Sequence, residues 1–485
     1  MRILLVNPRH DSIGSRLAGE HLPPLGLLCV AGPLMDAGHD AALLDADCHD
    51  WPIEKTVAEI GRRSPDLVMF GHSGSTSAQP VVNALAARVR EEFPGIGIVV
   101  GGVYPTFHWE EILRECPAID FIVLGEGEET ALKLVSALRE GTSPADIPGL
   151  AYAVEGVPRQ TGPAPLIEDL DRFRVAWELM EGYDYTYWGR RKAVVVQFSR
   201  GCPHACVFCG QRVFWRRFRR RDPFRFAEEL QALRRGGVEV VNFADESAST
   251  DREAWKTLLE EIVRRDLGLI LVGSIRADHV VRDADILPLY KKAGFERFLL
   301  GIESYDAATL ERMRKASDIG TDRLAVRLLR EHGILSMATY VVGFGGETIG
   351  DYLRNLRQLL RCDPDQIQLI YATPHRWTPF FGEAGDREVI TADLRKWDYK
   401  HQVLANPRLP PWMVLLCVKL IEVVMQSRPK ALRRLFFHRD PGLRKAMRWY
   451  TGIGRRVWFW EWKEFFLSKR TRNRITLKDF FKKIP

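Results

Sequence analysis

At 485 residues, with 46% apolar and 27% charged side chains, the chain is too long for one compact core and calls for two or three domains. That composition excludes intrinsic disorder, a collagen-like fibre and a disulfide scaffold. The net charge of +7 is unevenly spread and becomes informative only at the carboxyl end.

Residues 1–146 alternate short apolar runs with helical periodicity, the pattern of a parallel doubly wound α/β sheet. The opening Met1-Arg-Ile-Leu-Leu-Val-Asn7 lacks the apolar core and cleavage site of a secretory leader, so a reduced, cytoplasmic protein is expected. Strands are predicted over residues 3–7, 42–45, 67–71, 97–101 and 121–124. Ligands of open α/β sheets bind beyond the carboxyl ends of the strands, so the turns 71–77, 101–106 and 125–128 should line one crevice. Its candidate contacts are Ser73, Ser75, Gly101, Gly102, Thr106, Gly125 and Glu128, the glycines allowing close backbone approach.

The Pro-rich and aromatic stretch 147–189 reads as a linker. Over 190–375 periodicity returns, with strands predicted at 193–198, 240–244, 269–274, 298–303, 336–342 and 367–372 and amphipathic helices between them. Six βα units make a barrel or partial barrel. Residues 376–485 read as mostly helical, punctuated by Pro407, Pro410, Pro411, Pro429 and Pro441. Within them, residues 408–485 hold 20 Lys+Arg against 5 Asp+Glu, a net of +15 that leaves the preceding 407 residues at −8. This tail carries Trp412, Trp449, Trp458, Trp460 and Trp462, so its expected partner is anionic and partly apolar; the alternative is a solvated basic face over an aromatic core. The longest apolar run, 412–426, is interrupted by Lys419 and Glu422 and is not expected to span a membrane.

The sharpest feature follows the first strand of the second half: Arg200-Gly-Cys202-Pro-His-Ala-Cys206-Val-Phe-Cys209-Gly-Gln211. Three thiolates on one loop suit an iron–sulfur cluster and leave the fourth iron of a cube open to a non-protein ligand. The alternative is structural zinc, which needs four ligands and finds only His204 nearby. The remaining cysteines, Cys29, Cys48, Cys116, Cys362 and Cys417, are scattered singly, as buried apolar side chains are.

This spacing, on the loop after a first barrel strand, resembles the radical S-adenosylmethionine enzymes. The resemblance implies that Cys202, Cys206 and Cys209 hold a [4Fe-4S] cluster whose open iron binds S-adenosylmethionine, with Phe208 near adenine. It further implies Asp245 and Glu246 for the methionine amino group, Ser274 and Arg276 for its carboxylate, Glu303 for the ribose, and Gly343 in a glycine-rich adenine strand. With a Rossmann-like domain ahead of the barrel, the chain resembles the cobalamin-dependent branch of that superfamily. The histidine motif D-x-H-x-x-G is absent, since the first loop reads His10-Asp-Ser-Ile-Gly14, and His10 and His72 remain as alternative cobalt ligands.

Within that branch the chain resembles the anaerobic oxidative cyclases of bacteriochlorophyll synthesis. The motifs that carry this are His21-Leu-Pro-Pro-Leu-Gly26, Gly71-His-Ser-Gly-Ser-Thr-Ser77, Val194-Val-Val-Gln-Phe-Ser-Arg-Gly-Cys-Pro203, Arg221-Asp-Pro223, Ala372-Thr-Pro-His-Arg-Trp-Thr-Pro-Phe380 and Trp397-Asp-Tyr-Lys-His401. The resemblance implies closure of the fifth ring of a magnesium porphyrin ester by 5′-deoxyadenosyl radical chemistry, with oxygen taken from water. It implies an external electron donor of flavodoxin or ferredoxin type, no nucleic acid, and a tail that closes over the porphyrin or rests on the photosynthetic membrane. Candidate magnesium ligands are His375 and His401; candidate carboxylate partners are Arg376, Arg216, Arg217, Arg219, Arg220 and Arg221. A cobalamin-dependent radical C-methyltransferase is the alternative, and a non-enzymatic corrinoid or redox sensor the distant one.

Overall fold

The structure, a computed structural model, describes residues 1–10, 21–71, 75–467 and 475–483. Its first sheet is built from β1 (Arg2–Asn7), α1 (Leu25–Asp36), β2 (Asp40–Asp45), α2 (Ile53–Arg63), β3 (Leu67–Phe70), α3 (Ser75–Glu92), β4 (Gly97–Gly101), α4 (Val103–Glu115), β5 (Phe121–Val123) and α5 (Gly127–Glu140). The strands pair in parallel in the order β2-β1-β3-β4-β5. Helices α1 and α5 bury Leu27, Leu28, Leu34, Leu134 and Val135 on one face, and α2, α3 and α4 bury Ile60, Val82, Leu85 and Ile112 on the other. Strands covered on both faces must be apolar throughout, which is why residues 3–6 and 67–70 are unbroken apolar runs.

The stretch 147–189 is not a linker throughout. Its β6 (Leu150–Val154) and β7 (Val157–Gln160) form a hairpin that pairs antiparallel onto β5 and extends the first sheet. Leu150 and Ala151 of β6 are buried while β7 is solvent-facing, and the pair joins the sheet antiparallel, outside the βα alternation that marks the inner strands.

The second sheet follows with β8 (Thr186–Tyr187), β9 (Arg191–Val196), β10 (Ser199–Arg200), α6 (Gly210–Trp215), β11 (Arg219–Arg220), α7 (Pro223–Arg235), β12 (Val240–Phe243), α8 (Arg252–Arg264), β13 (Ile270–Ile275), α9 (Ala277–Arg282), α10 (Leu287–Ala293), β14 (Phe295–Glu303), α11 (Ala307–Arg312), α12 (Ile319–Glu331), β15 (Leu335–Val342), α13 (Ile349–Cys362) and β16 (Gln366–Tyr371). Six parallel strands run β9-β12-β13-β14-β15-β16, with β8 antiparallel on the outer edge of β9. The sheet stays open, a partial (β/α)6 barrel. Helix starts are locally encoded: Asp222 caps α7 by accepting from the N–H groups of Phe224 (2.9 Å) and Arg225 (3.0 Å) ahead of Pro223, a cap worth about 1 kcal/mol.

The last part holds α14 (Pro379–Glu383), α15 (Pro411–Ser427), α16 (Pro429–Phe437), α17 (Pro441–Leu467) and α18 (Leu477–Lys483). Pro411, Pro429 and Pro441 each occupy a first helical position, where a missing N–H is harmless. Leu443, Ala446 and Met447 of α17 close the amino ends of the barrel strands against Trp188, Ala193 and Val240. Among the described residues, no helix is long and apolar enough to cross a membrane.

Candidate active site

The three cysteines lie half-buried on the loop beyond β9 and β10. The chain enters this loop through Gly201, at φ +90°, where a Cβ would meet the Arg217 carbonyl oxygen at 2.2 Å, so only glycine fits. The loop is fixed from both sides: Val207 N–H donates to Met313 O (3.1 Å), and Phe380 N–H donates to Val207 O (3.1 Å). Burial pushes all three thiols above their ordinary range, which suits ligands that become thiolates only against a metal's charge. The zinc alternative is not assembled. Among the described residues, the donor group that includes His204 joins it to Asp278 and His279 within 4.8 Å, not to the cysteines.

Of the residues expected to hold S-adenosylmethionine, Glu303 gives the clearest fit. It ends β14 at φ +66°, beside a register shift against β15. Its carboxylate is buried and raised in pKa by that burial, with Lys315 3.5 Å from one oxygen; among the described residues, the other oxygen has no hydrogen-bond donor. A Cβ on Gly301 would meet Glu303 Oε1 at 2.6 Å and Lys315 Nζ at 3.0 Å, so glycine makes room for the pair. A buried acceptor lacking a donor fits a ligand hydroxyl. Gly343 N–H donates to Glu347 Oε1 (2.8 Å) and its carbonyl accepts from Arg387 Nη1 (2.8 Å), which shapes the loop after β15. Phe208 packs on Phe344 with ring centroids 5.6 Å apart. Ser274 sits near the end of β13, and Arg276 is held by Asp278 (2.8 Å) and Ala316 O (2.7 Å).

Asp245 does not behave as expected. Fully buried, it accepts from Phe198 N–H (3.2 Å), Ser199 N–H (2.5 Å) and Ser199 Oγ (2.6 Å), and burial raises its pKa to about 6. It clamps the turn leading into the cysteine loop rather than offering its oxygens to a ligand. Glu246 accepts from Trp215 Nε1 (2.7 Å) and Gly201 N–H (3.3 Å), and burial raises it to about 7.

A cavity of about 680 Å³ opens where the first sheet, the open barrel and the carboxyl-terminal helices meet. Its walls include Gly101, Gly102, Gly125 and Glu128 from the strand-end turns, Val195, Gln197 and Ala244 from the barrel, and Tyr450, Val457 and Trp458 from α17. The expected crevice is therefore real, and the glycines face it. Thr106 instead ties two turns together, donating to Gly102 O (2.7 Å) and accepting from Gly125 N–H (2.9 Å). Glu128 pairs with Arg200 at 2.5 Å. Ser73, His72 and the side chain of Ser75 lie outside the described residues. His10 is buried outside the cavity wall, its N–H donating to Asp47 (3.4 Å).

The substrate-binding candidates are engaged elsewhere. His375 is sandwiched between Thr76 Oγ1 (3.0 Å from Nδ1) and the Tyr399 hydroxyl (2.6 Å from Nε2), and His401 Nδ1 donates to Asp398 (2.9 Å). Arg376 pairs with Glu111 (2.6 Å) across the domain seam. In the arginine run, Arg216 donates to Ala164 O, Arg217 pairs with Glu168, Arg219 with Glu126, Arg220 with Asp251, and Arg221 with Asp171 and Glu229. Of these, Arg219 ties the barrel to the first domain through Glu126, and Arg216, Arg217 and Arg221 tie it to the connecting stretch. Wall residues that sequence reasoning passed over include Gln368 and Glu461, while His21 and Lys400 figure there only as parts of motifs; chain segments far apart in sequence bring them together.

Comparison with known proteins agrees with this architecture. Residues 14–135 match the B12 binding domain model and residues 196–359 the radical SAM superfamily model. The chain is 50% identical over 99% of its length, and 97% of the relative's, to an anaerobic magnesium-protoporphyrin IX monomethyl ester cyclase of Synechocystis sp.. The chain belongs to this cyclase family. A more distant relative of the cyclases, at 28% identity over 92% of this chain and 97% of its own, is an uncharacterized methyltransferase of Pyrococcus horikoshii. In fold, the chain is similar to the radical S-adenosylmethionine methyltransferase TsrM of Kitasatospora setae, with TM-score 0.71, 20% identity, and 89% and 90% of the two chains covered.

Proposed function

We propose that this chain is a radical S-adenosylmethionine oxidative cyclase that converts magnesium-protoporphyrin IX 13-monomethyl ester to divinyl protochlorophyllide without dioxygen. The carrying observation is the 50% identity to a cyclase over nearly the whole chain; the aromatic-walled cavity agrees with it. Cys202, Cys206 and Cys209 hold a [4Fe-4S] cluster, and Ser274, Arg276, Glu303 and Gly343 position S-adenosylmethionine. The turns at Gly101, Gly102 and Gly125 receive cobalamin. The cluster and S-adenosylmethionine would supply a primary carbon radical, able to remove hydrogen from an unactivated methylene that no protein base could deprotonate. The protein positions and encloses: Tyr187, Phe214, Trp215, Tyr450 and Trp458 line the cavity of about 680 Å³, the last two from α17, whose start packs on the amino ends of the barrel strands.

Electrons come from an external flavodoxin or ferredoxin-type donor. The tail rests on an anionic membrane surface. Trp412, Leu416, Leu420 and Val423 form an exposed stripe on α15, and Phe459, Trp460, Phe466 and Leu467 are exposed on α17 beside Arg455, Arg456 and Lys463, the mixture that suits an interfacial helix. The test is anaerobic turnover of the magnesium porphyrin ester in isotopically heavy water, followed by mass and absorption spectra. A product carrying a fifth ring and one heavy oxygen is expected; a methylated product would replace the cyclase reading by a methyltransferase one.

A further inference from the structure

We infer that His21 is the axial ligand to the magnesium of the porphyrin substrate. The inference rests on the cyclase reading and adds to it a residue that fixes which tetrapyrrole the cavity accepts.

Among the described residues, His21 is the one histidine in the cavity wall. Its backbone is held firmly: His21 forms an isolated bridge with Thr186, and Leu22 packs on the cluster of Trp188, Leu443 and Ala446. Pro23 and Pro24 then lead into α1, where the Pro24 carbonyl accepts from Leu27 and Leu28 N–H. A ring on so constrained a backbone is pre-organised to accept a metal. The competing donors are occupied. Glu126 and Glu128 are paired with Arg200, while Glu422 and Glu461 are paired with Lys419.

Magnesium held by four pyrrole nitrogens takes a further ligand from one face, and a neutral imidazole nitrogen is a suitable donor. Placement favours the substrate's metal over cobalt. His21 bridges Thr186, next to the wall residue Tyr187, and the adjoining Leu22 packs on the cluster of Leu443 and Ala446 at the start of α17.

The experiment titrates the holoenzyme, without reductant, with magnesium-protoporphyrin monomethyl ester and with its metal-free counterpart. Wild type should bind the magnesium ester at least roughly tenfold more tightly than the metal-free one. His21→Ala should erase that preference while leaving metal-free affinity within about twofold, and added imidazole should restore the preference and the axial shift of the Soret band in His21→Gly. Equal weakening of both ligands in His21→Ala would assign the ring a packing role and overturn the inference, as would a preference that survives the substitution. Nitrogen superhyperfine splitting in the cob(II)alamin electron paramagnetic resonance spectrum, lost in His21→Ala, would give the residue to cobalt instead. If His21→Ala loses its cluster absorption, His21→Asn is read in its place. Wild type that binds neither porphyrin would sink the cyclase reading itself, an outcome separate from the loss of metal preference alone.

Discussion

Arg200 donates to Glu128 at 2.5 Å, joining the loop that carries the cysteines to the turn that faces the cavity from the first sheet. The same guanidinium reaches Glu126 at 2.8 Å, and Glu126 is shared with Arg219 at 2.6 Å. All four side chains are nearly buried. One ion network thus sets the distance between the two cofactor-binding halves.

Arg200→Ala would leave two buried carboxylates with only Arg219 between them. Removing one partner from a buried pair typically costs about 3–5 kcal/mol, so a lowered thermal midpoint and faster proteolysis between the two sheets are expected. Glu128→Gln, which keeps an acceptor for Arg200, should be milder. Equal stability of wild type and Arg200→Ala, measured by thermal unfolding under anaerobic conditions, would show that the network carries no structural load.

Cys202→Ala, Cys206→Ala and Cys209→Ala should each abolish the iron–sulfur absorption and the cleavage of S-adenosylmethionine, since each removes one of three protein ligands. Cys362→Ala should keep both, because Cys362 is buried at the end of α13, away from the loop. Absorption spectra of reconstituted protein and a cleavage assay decide it.

Much of this was legible in the sequence for a physical reason. Ligand spacing on one loop is local, so the cysteine triad reads directly, and buried parallel strands must be apolar throughout, so the inner strands of both sheets read with their ends shifted, as β14 shows by starting at Phe295 rather than at 298. What failed depended on contacts across the chain. The arginine run 216–221 looks like a set of carboxylate partners for the substrate, yet Arg221 finds Asp171 and Arg219 finds Glu126. His375 looks like an open ligand until Thr76, 299 residues away, closes on it. The β6–β7 hairpin escaped because its one apolar run, Leu150–Val154, is followed by an exposed edge strand without one and lies outside the βα alternation.

Asp322 gives a pH signature beside the Lys315–Glu303 pair. Burial raises its carboxyl to about 7; Ser317 Oγ donates to one oxygen at 3.0 Å, and among the described residues the other oxygen has no partner. The folded state therefore binds this proton more tightly than the unfolded chain does. Its stabilising contribution is complete below about pH 4 and is lost as pH rises through about 7, with an upper bound of roughly 4 kcal/mol. Asp322→Asn should match wild type near pH 4 and melt at higher temperature near pH 8. Thermal midpoints across that range that run parallel for the two proteins would refute the assignment.

The apolar stripe on α15 predicts binding to anionic vesicles that depends on both contact area and charge. Leu416→Gln with Leu420→Gln removes two aliphatic side chains worth about 1.5–3 kcal/mol each when fully buried, so partial insertion should make cosedimentation roughly tenfold weaker. The remaining electrostatic binding should fall further with added salt. Unchanged cosedimentation of the double variant would move the contact to another surface.

Gly102 tests where the corrinoid sits. Its φ is +114°, and a Cβ built there meets no atom within 4 Å, because the position opens into the cavity. Any side chain at that φ carries backbone strain of about 1–3 kcal/mol, but only a bulky one also fills the space that the cofactor needs. Gly102→Ala and Gly102→Trp share the strain and differ in volume, which separates the two effects. Gly102→Ala should melt lower yet purify with corrinoid, whereas Gly102→Trp should purify with its iron–sulfur cluster and without corrinoid. Absorption spectra and metal analysis for cobalt and iron read both contents from one preparation. Full cobalt occupancy in Gly102→Trp would place the cofactor away from the strand-end turns, and loss of cobalt in both variants alike would make strain, not occlusion, the cause.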